Sequence, residues 1–157
     1  MAKVGIVYYS RTGHTEKMAQ FVLEGVKKEK IEVEIKKVED TKIEDLLEWD
    51  GIIVGSPVYY GIVAASIKDL FDQSVKYHGR LEGKVGGAFA SSANIGGGNE
   101  TTVLSILQMM LIHGMIVKGT SEGDHYGPVS IEEPDKRVES QCKALGERVA
   151  KLVKRLS

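Results

Sequence analysis

Short apolar runs alternate with longer stretches in which apolar positions recur at steps of three and four, from one end of the chain to the other. This alternation predicts parallel βαβ units, with strands buried on both faces and helices that each carry one apolar stripe. Strands are expected at residues 3–9, 32–37, 51–55, 84–91 and 115–119. The first helix follows Thr15 and lines up Met18, Val22 and Val26; a short one at 41–49 turns Ile43, Leu46 and Leu47 inward. A third carries Ile67, Leu70, Phe71 and Val75, and a more apolar one spans 100–112. The last runs from about Pro134 through Val138, Cys142, Leu145, Val149, Leu152 and Leu156, a strong amphipathic pattern.

Right-handed crossovers on such a sheet give an α/β doubly wound, three-layer αβα sandwich of five parallel strands, for which the order 2-1-3-4-5 is expected. Ligands of such a fold bind at the carboxyl ends of strands one, three and four. The unusual loops of this sequence fall at those three ends. The first, Ser10, Arg11, Thr12, Gly13, His14 and Thr15, is a hydroxyl-rich turn feeding a helix, which aims backbone N–H groups and the helix dipole at an anion. It has neither G-x-x-x-x-G-K-[ST] nor G-x-G-x-x-G spacing, so a phosphomonoester without an adenine half, such as that of FMN, is the expected ligand; an ordinary hydroxyl-capped βα turn is the competing reading.

In the second loop, Pro57 and Gly61 bracket Val58, Tyr59 and Tyr60. Aromatic rings there border a flavin, or else simply pack beneath a loop. The third is Ser91, Ser92, Ala93, Asn94, Ile95, Gly96, Gly97, Gly98 and Asn99. Its glycines let backbone approach a planar ligand and turn N–H groups toward it, or else make a flexible connection. It holds no aromatic residue, which leaves one face of a bound ring open to a nicotinamide or a quinone. His113, just before Gly114, reads as a helix-end cation interacting with the dipole.

With 157 residues the chain is expected to form a single domain over residues 1–157. A formal net charge of −1 provides no field for nucleic acid or an anionic membrane. There is no signal-peptide pattern and no apolar run long enough for a membrane span, so a cytoplasmic protein is expected. The one cysteine, Cys142, forms no internal disulfide, and no His/Cys/Asp/Glu set has metal-ligand spacing.

Together the residues resemble the flavodoxin-like superfamily, and within it the FMN-dependent NAD(P)H:quinone oxidoreductases historically called tryptophan-repressor-binding, or Wrb-type, proteins. The resemblance is carried by Val7-Tyr8-Tyr9-Ser10 with Gly13-His14, Gly55-Ser56-Pro57 to Gly61, Phe71-Asp72-Gln73, Ser91-Ser92 to Thr102, His113-Gly114-Met115 and Tyr126-Gly127. It implies that Ser10 to Thr15 hold the FMN phosphate, and that Val58 to Tyr60 with Ser92 to Gly97 frame the isoalloxazine. It also implies two-electron transfer from NAD(P)H to a quinone, with the flavin rather than a side chain as the reacting group. The chain departs from the family at Thr12, where a tyrosine is usual, and at Ile112, where a second histidine is usual. The alternative is a flavodoxin-type carrier of single electrons, against which the balanced charge speaks. The apolar stretch 103–112 makes a homodimer or homotetramer the expected assembly.

Overall fold

In the computed structural model, which describes residues 1–157, the first strand β1 (Lys3–Tyr8) is an almost continuous apolar run, as a strand covered on both faces must be. It is followed by α1 (His14–Lys28), β2 (Glu32–Lys37), a short α2 (Asp45–Glu48), β3 (Gly51–Pro57), α3 (Ala65–Gln73), β4 (Val85–Ser92), α4 (Asn99–Ile112), β5 (Ile116–Val117), β6 (Val129–Ile131) and α5 (Lys136–Leu156). Neighbouring strands run in the order β2-β1-β3-β4-β5, all parallel.

Successive residues of a strand face opposite sides, and the two sides build two cores. Val4, Ile6, Tyr8, Ile53 and Phe89 meet α1 and α5 on one face. Val7, Ile52, Val54, Ala88 and Ala90 meet the α2, α3 and α4 layer on the other. Gly5 belongs to the second face because Trp49 lies directly on it: a Cβ there would fall inside the indole ring. The indole Nε1 reaches out to donate to Glu34 at 3.1 Å.

Three expectations need correction. The fifth strand is split. Ile116 and Val117 pair with Val85 and Gly86, the chain then leaves the sheet, and Val129 to Ile131 return to pair with Ala90 to Ser92 on the same edge of β4. The polar, glycine-punctuated stretch 118–127 offers no apolar side chain to a sheet face, so it makes the excursion. Val75, expected inward, is 72 % exposed: the helix tightens into a 3-10 turn at Ser74–Tyr77, and Ser74 takes the buried position instead. The α5 stripe is buried as far as Val153, while Leu156 runs past the sheet into solvent.

Candidate functional site

Because β1, β3 and β4 are parallel and adjacent, the loops that follow them share one rim. The first turn begins where the Tyr9 N–H donates to Gly55 O at 3.2 Å, the last rung to β3. Gly13 then adopts φ 98 as the residue before α1, a left-handed conformation that glycine adopts without cost. Ser10 Oγ folds back over the turn and accepts from the N–H groups of Gly13 and Glu16, both at 3.2 Å. The N–H groups of Arg11, Thr12, His14 and Thr15 have no acceptor within the chain. Arg11 and Thr12 are exposed, and Ser10, Gly13 and His14 half-buried. A cluster of free donors at a helix N-terminus is an anion-binding arrangement. Thr15 departs from the expectation of a hydroxyl open to a ligand at a surface turn. Its side chain is 2 % exposed, and its Oγ1 lies 2.8 Å from Ser91 Oγ at the end of β4.

The second loop is anchored by Ser56 Oγ, which accepts from Ala64 N at 2.9 Å, and by Val58 N, which donates to Ser91 O at 2.8 Å. Tyr59 and Ile62 then exchange backbone hydrogen bonds at 3.1 and 3.3 Å. Between them Tyr60 and Gly61 both have positive φ, 50 and 83, the signature of a type I′ turn. A tyrosine is an unusual occupant of that region, and here it stands fully exposed at the tip. Tyr59 packs edge-on against Tyr9, ring centroids 6.1 Å apart. Burial, with Tyr9 beside it, raises the Tyr59 phenol pKa, while the neighbouring Arg11 opposes the rise. Arg11 of the first loop and Tyr59 of the second are thus brought together.

The third loop touches the second. Gly98 has φ 104, and a Cβ on it would lie 2.7 Å from Gly61 Cα and 3.1 Å from Val58. Thr101 Oγ1 lies 2.5 Å from Gly61 O and 2.9 Å from Gly98 O, joining the two loops. Ala93, Asn94, Ile95 and Gly96 are exposed, and their N–H groups have no acceptor. Gly96 has nothing within 4 Å of its Cβ position. Gly97 is different: its N–H is already bonded to Asn94 O at 3.1 Å. Of the three glycines expected to offer donors, it alone has none to spare.

A fourth wall escaped the sequence. Glu132, after β6, donates its N–H to Ser92 O at 2.7 Å, and Glu133 pairs with Lys17 of α1 at 2.9 Å, close enough to His14 for that imidazole to help lower the Glu133 pKa. The only hint was a pair of β-branched residues, Val129 and Ile131, between Pro128 and Pro134. His113 does not belong to the rim, because α4 runs back to the opposite edge before reaching it. Nor is it a helix-end cation. The ring is buried, Nε2 lies 2.8 Å from Ser74 Oγ, and burial lowers its pKa, which keeps it neutral.

The chain is similar to several known proteins. A family model described as "NADPH-dependent FMN reductase" matches residues 3–123. A protein of Aquifex aeolicus named "Flavodoxin" is 41% identical, over 98% of this chain and 88% of its own length. One of Archaeoglobus fulgidus named "NAD(P)H dehydrogenase (quinone)" is 31% identical, over 99% of this chain and all of its own length. Among solved structures, the flavodoxin, WrbA-like protein of Agrobacterium tumefaciens superposes with a TM-score of 0.84 at 26% identity, over the whole of both chains.

Proposed function

The chain belongs to the NADPH-dependent FMN reductase family, and on that premise we propose that the rim of β1, β3 and β4 holds one FMN through which a reduced nicotinamide supplies electrons to a quinone. The protein is an FMN-dependent oxidoreductase. The observation that carries the site assignment is the pair of clusters of unpaired N–H groups, one of Arg11, Thr12, His14 and Thr15 and one of Ala93 to Gly96, on either side of the Tyr59–Gly61 turn. Bound FMN supplies a ring that takes up an electron pair from one substrate and releases it to the next.

The chain's own groups do the rest. The free N–H groups of Arg11, Thr12, His14 and Thr15, with the α1 dipole, hold the phosphate. Ser10 shapes the turn through its two accepted hydrogen bonds. Pro57, Val58, Tyr59, Tyr60 and Gly61 line one side of the ring. Ser92 to Gly97 would line the other, where the free N–H groups of Ala93 to Gly96 would favour negative charge on the reduced ring. Since no aromatic side chain of the third loop covers the ring, nicotinamide and quinone take turns at one open face, which predicts ping-pong kinetics. The turn at Ser10 offers one cluster of free donors to a terminal phosphate, and the chain has no dinucleotide motif for an adenylate, so FMN is retained over FAD.

The flavodoxin name of a close relative favours a second reading, a carrier of single electrons. Anaerobic mixing separates the two. The enzyme reading expects NADH or NADPH to bleach the visible flavin absorbance and benzoquinone to restore it. Failure of both nicotinamides, with dithionite still bleaching the flavin, replaces it by the carrier reading. We place the protein in the cytoplasm, where reduced nicotinamides are available; no helix is long and apolar enough to cross a membrane. We also assign it a homodimeric or homotetrameric assembly, supported by the exposed Leu104, Leu111 and Ile112 of α4.

A further inference from the structure

Along the side of α5 that meets α1, lysines and carboxylates are matched: Lys143 pairs with Glu24 and Glu139, Lys154 with Glu29, and Lys28 with Glu147. On the side that meets the exit of β5 the match is incomplete: Lys151 lies 3.6 Å from Glu29, but Lys118, Arg148 and Arg155 have no carboxylate partner. There Lys118, Arg148, Lys151 and Arg155 surround a pocket of about 370 Å³ over Ala144 and Leu152, with Glu147 as its one acid. Glu147 is already committed to Lys28 at 3.0 Å and, more loosely, to Lys151 at 3.8 Å. Lys118 reaches only the carbonyl of its own neighbour Gly119, at 3.4 Å.

Arg148 is the telling residue. Its Nε is shut away from solvent without an acceptor, and no hydrogen bond or opposite charge offsets the burial that lowers its pKa. A half-buried guanidinium without a partner is costly, whereas its planar fork is suited to two oxygens of one anion. Attraction of cations to a helix C-terminus accounts for Lys151 and Arg155. It does not account for Lys118, which comes from another element, or for a partnerless arginine set back in the helix.

We propose that this pocket binds a small phosphate-bearing anion through Arg148 and Lys118, with Lys151 and Arg155 adding to the field. It is not part of the rim. Lys118 leaves the sheet next to Gly86, roughly 20 Å of strand from the carboxyl end of β4. The pocket's volume and apolar floor fit a small ligand rather than a protein surface.

The test is a titration of the FMN-loaded, isotope-labelled full chain with inorganic pyrophosphate at low ionic strength, followed by amide NMR shifts. Loading with FMN keeps the probe out of the first-loop turn, and the shifts are read at Lys118 and along α5, so the result stands whether or not that turn holds FMN. Saturable shifts there are expected. Arg148→Met and Lys118→Gln should each weaken binding about tenfold, as expected for loss of a charge-assisted hydrogen bond, while Lys37→Gln leaves it unchanged. Lys118 is exposed, so its variant folds even if Arg148→Met does not. ADP binding more tightly than pyrophosphate at these residues identifies a nucleotide, and equal binding identifies the phosphate group alone; both support the site. Shifts that do not saturate, indifference to both substitutions, or tighter binding of an oligoglutamate peptide than of either phosphate compound would overturn it.

Discussion

Thr15 shows how the two polar groups of one residue serve different ends, the N–H left free at the turn and the hydroxyl holding the end of β4. It sits in the turn that the sequence marks for a phosphate, yet it is buried against Ser91, so its loss is felt before any ligand arrives. Thr15→Val keeps the shape but leaves Ser91 Oγ unpaired, and the apo-protein should lose about 1–3 kcal/mol in urea unfolding. FMN affinity of the folded variant should change little, because valine keeps the N–H offered to the phosphate and the lost hydroxyl faced Ser91; a roughly tenfold loss by calorimetry would put the hydroxyl itself on the phosphate. The sequence revealed the turn because Ser, Thr and Gly before a helix have local meaning. It concealed the contact with Ser91 because that partner is 76 residues away. His113 carries a similar lesson. Ser74 Oγ gives its only proton to Phe71 O at 2.6 Å, so it accepts from His113 Nε2–H, and Nδ1 is left buried without a partner. Protonating Nδ1 is therefore disfavoured in the folded state. With its folded pKa below the unfolded value of 6.5, the stability tied to neutral His113 is complete above that value and declines as pH falls below it. His113→Gln keeps a donor for Ser74 without titrating. Its unfolding free energy should lose less than the wild type's between about pH 7 and pH 5; parallel curves would refute the assignment.

At the scale of elements, the loops are coupled through glycines whose roles differ. Gly98 lies against Gly61 and Gly96 faces open space, although both have positive φ. Gly98→Ala should push the second and third loops apart, lowering stability by more than the roughly 1 kcal/mol that a left-handed backbone costs an alanine and weakening FMN with it. Gly96→Ala should stay near that cost in the apo-protein while its methyl stands where the proposed ring approaches, so its larger effect should be on FMN affinity. Denaturation and fluorescence titration of the two variants separate these outcomes; an FMN affinity untouched by Gly96→Ala would move the ring away from the third loop. Strands β1 to β4 and the long helices were readable because their periodicities persist over several turns or a full buried run. The split of the fifth strand was not. Two- and three-residue strands have no period, and Val129 to Ile131 join the sheet only because β4 offers them an edge.

For the whole molecule, the strand order followed from alternating elements and the preference of crossovers for one hand; what covers α4 did not. Thr102, Val103, Ile106 and Met110 of that helix are buried against the sheet, while Leu104, Leu111 and Ile112 face outward with only Glu100 charged among its residues. Val75 and Ile116 add to the exposed apolar surface. An apolar helix left bare on a monomer marks a contact surface, and a net charge of −1 raises little repulsion between copies. Sedimentation equilibrium of the FMN-loaded protein should therefore return two or four times the 17.2 kDa of one chain. Replacing both Leu111 and Ile112 by lysine places like charges on every copy of the face, so the mass should fall to that of one chain with the circular dichroism unchanged. A wild-type chain that sediments singly at micromolar concentration would show that α4 is bare in solution and that the flavin site is complete within one copy.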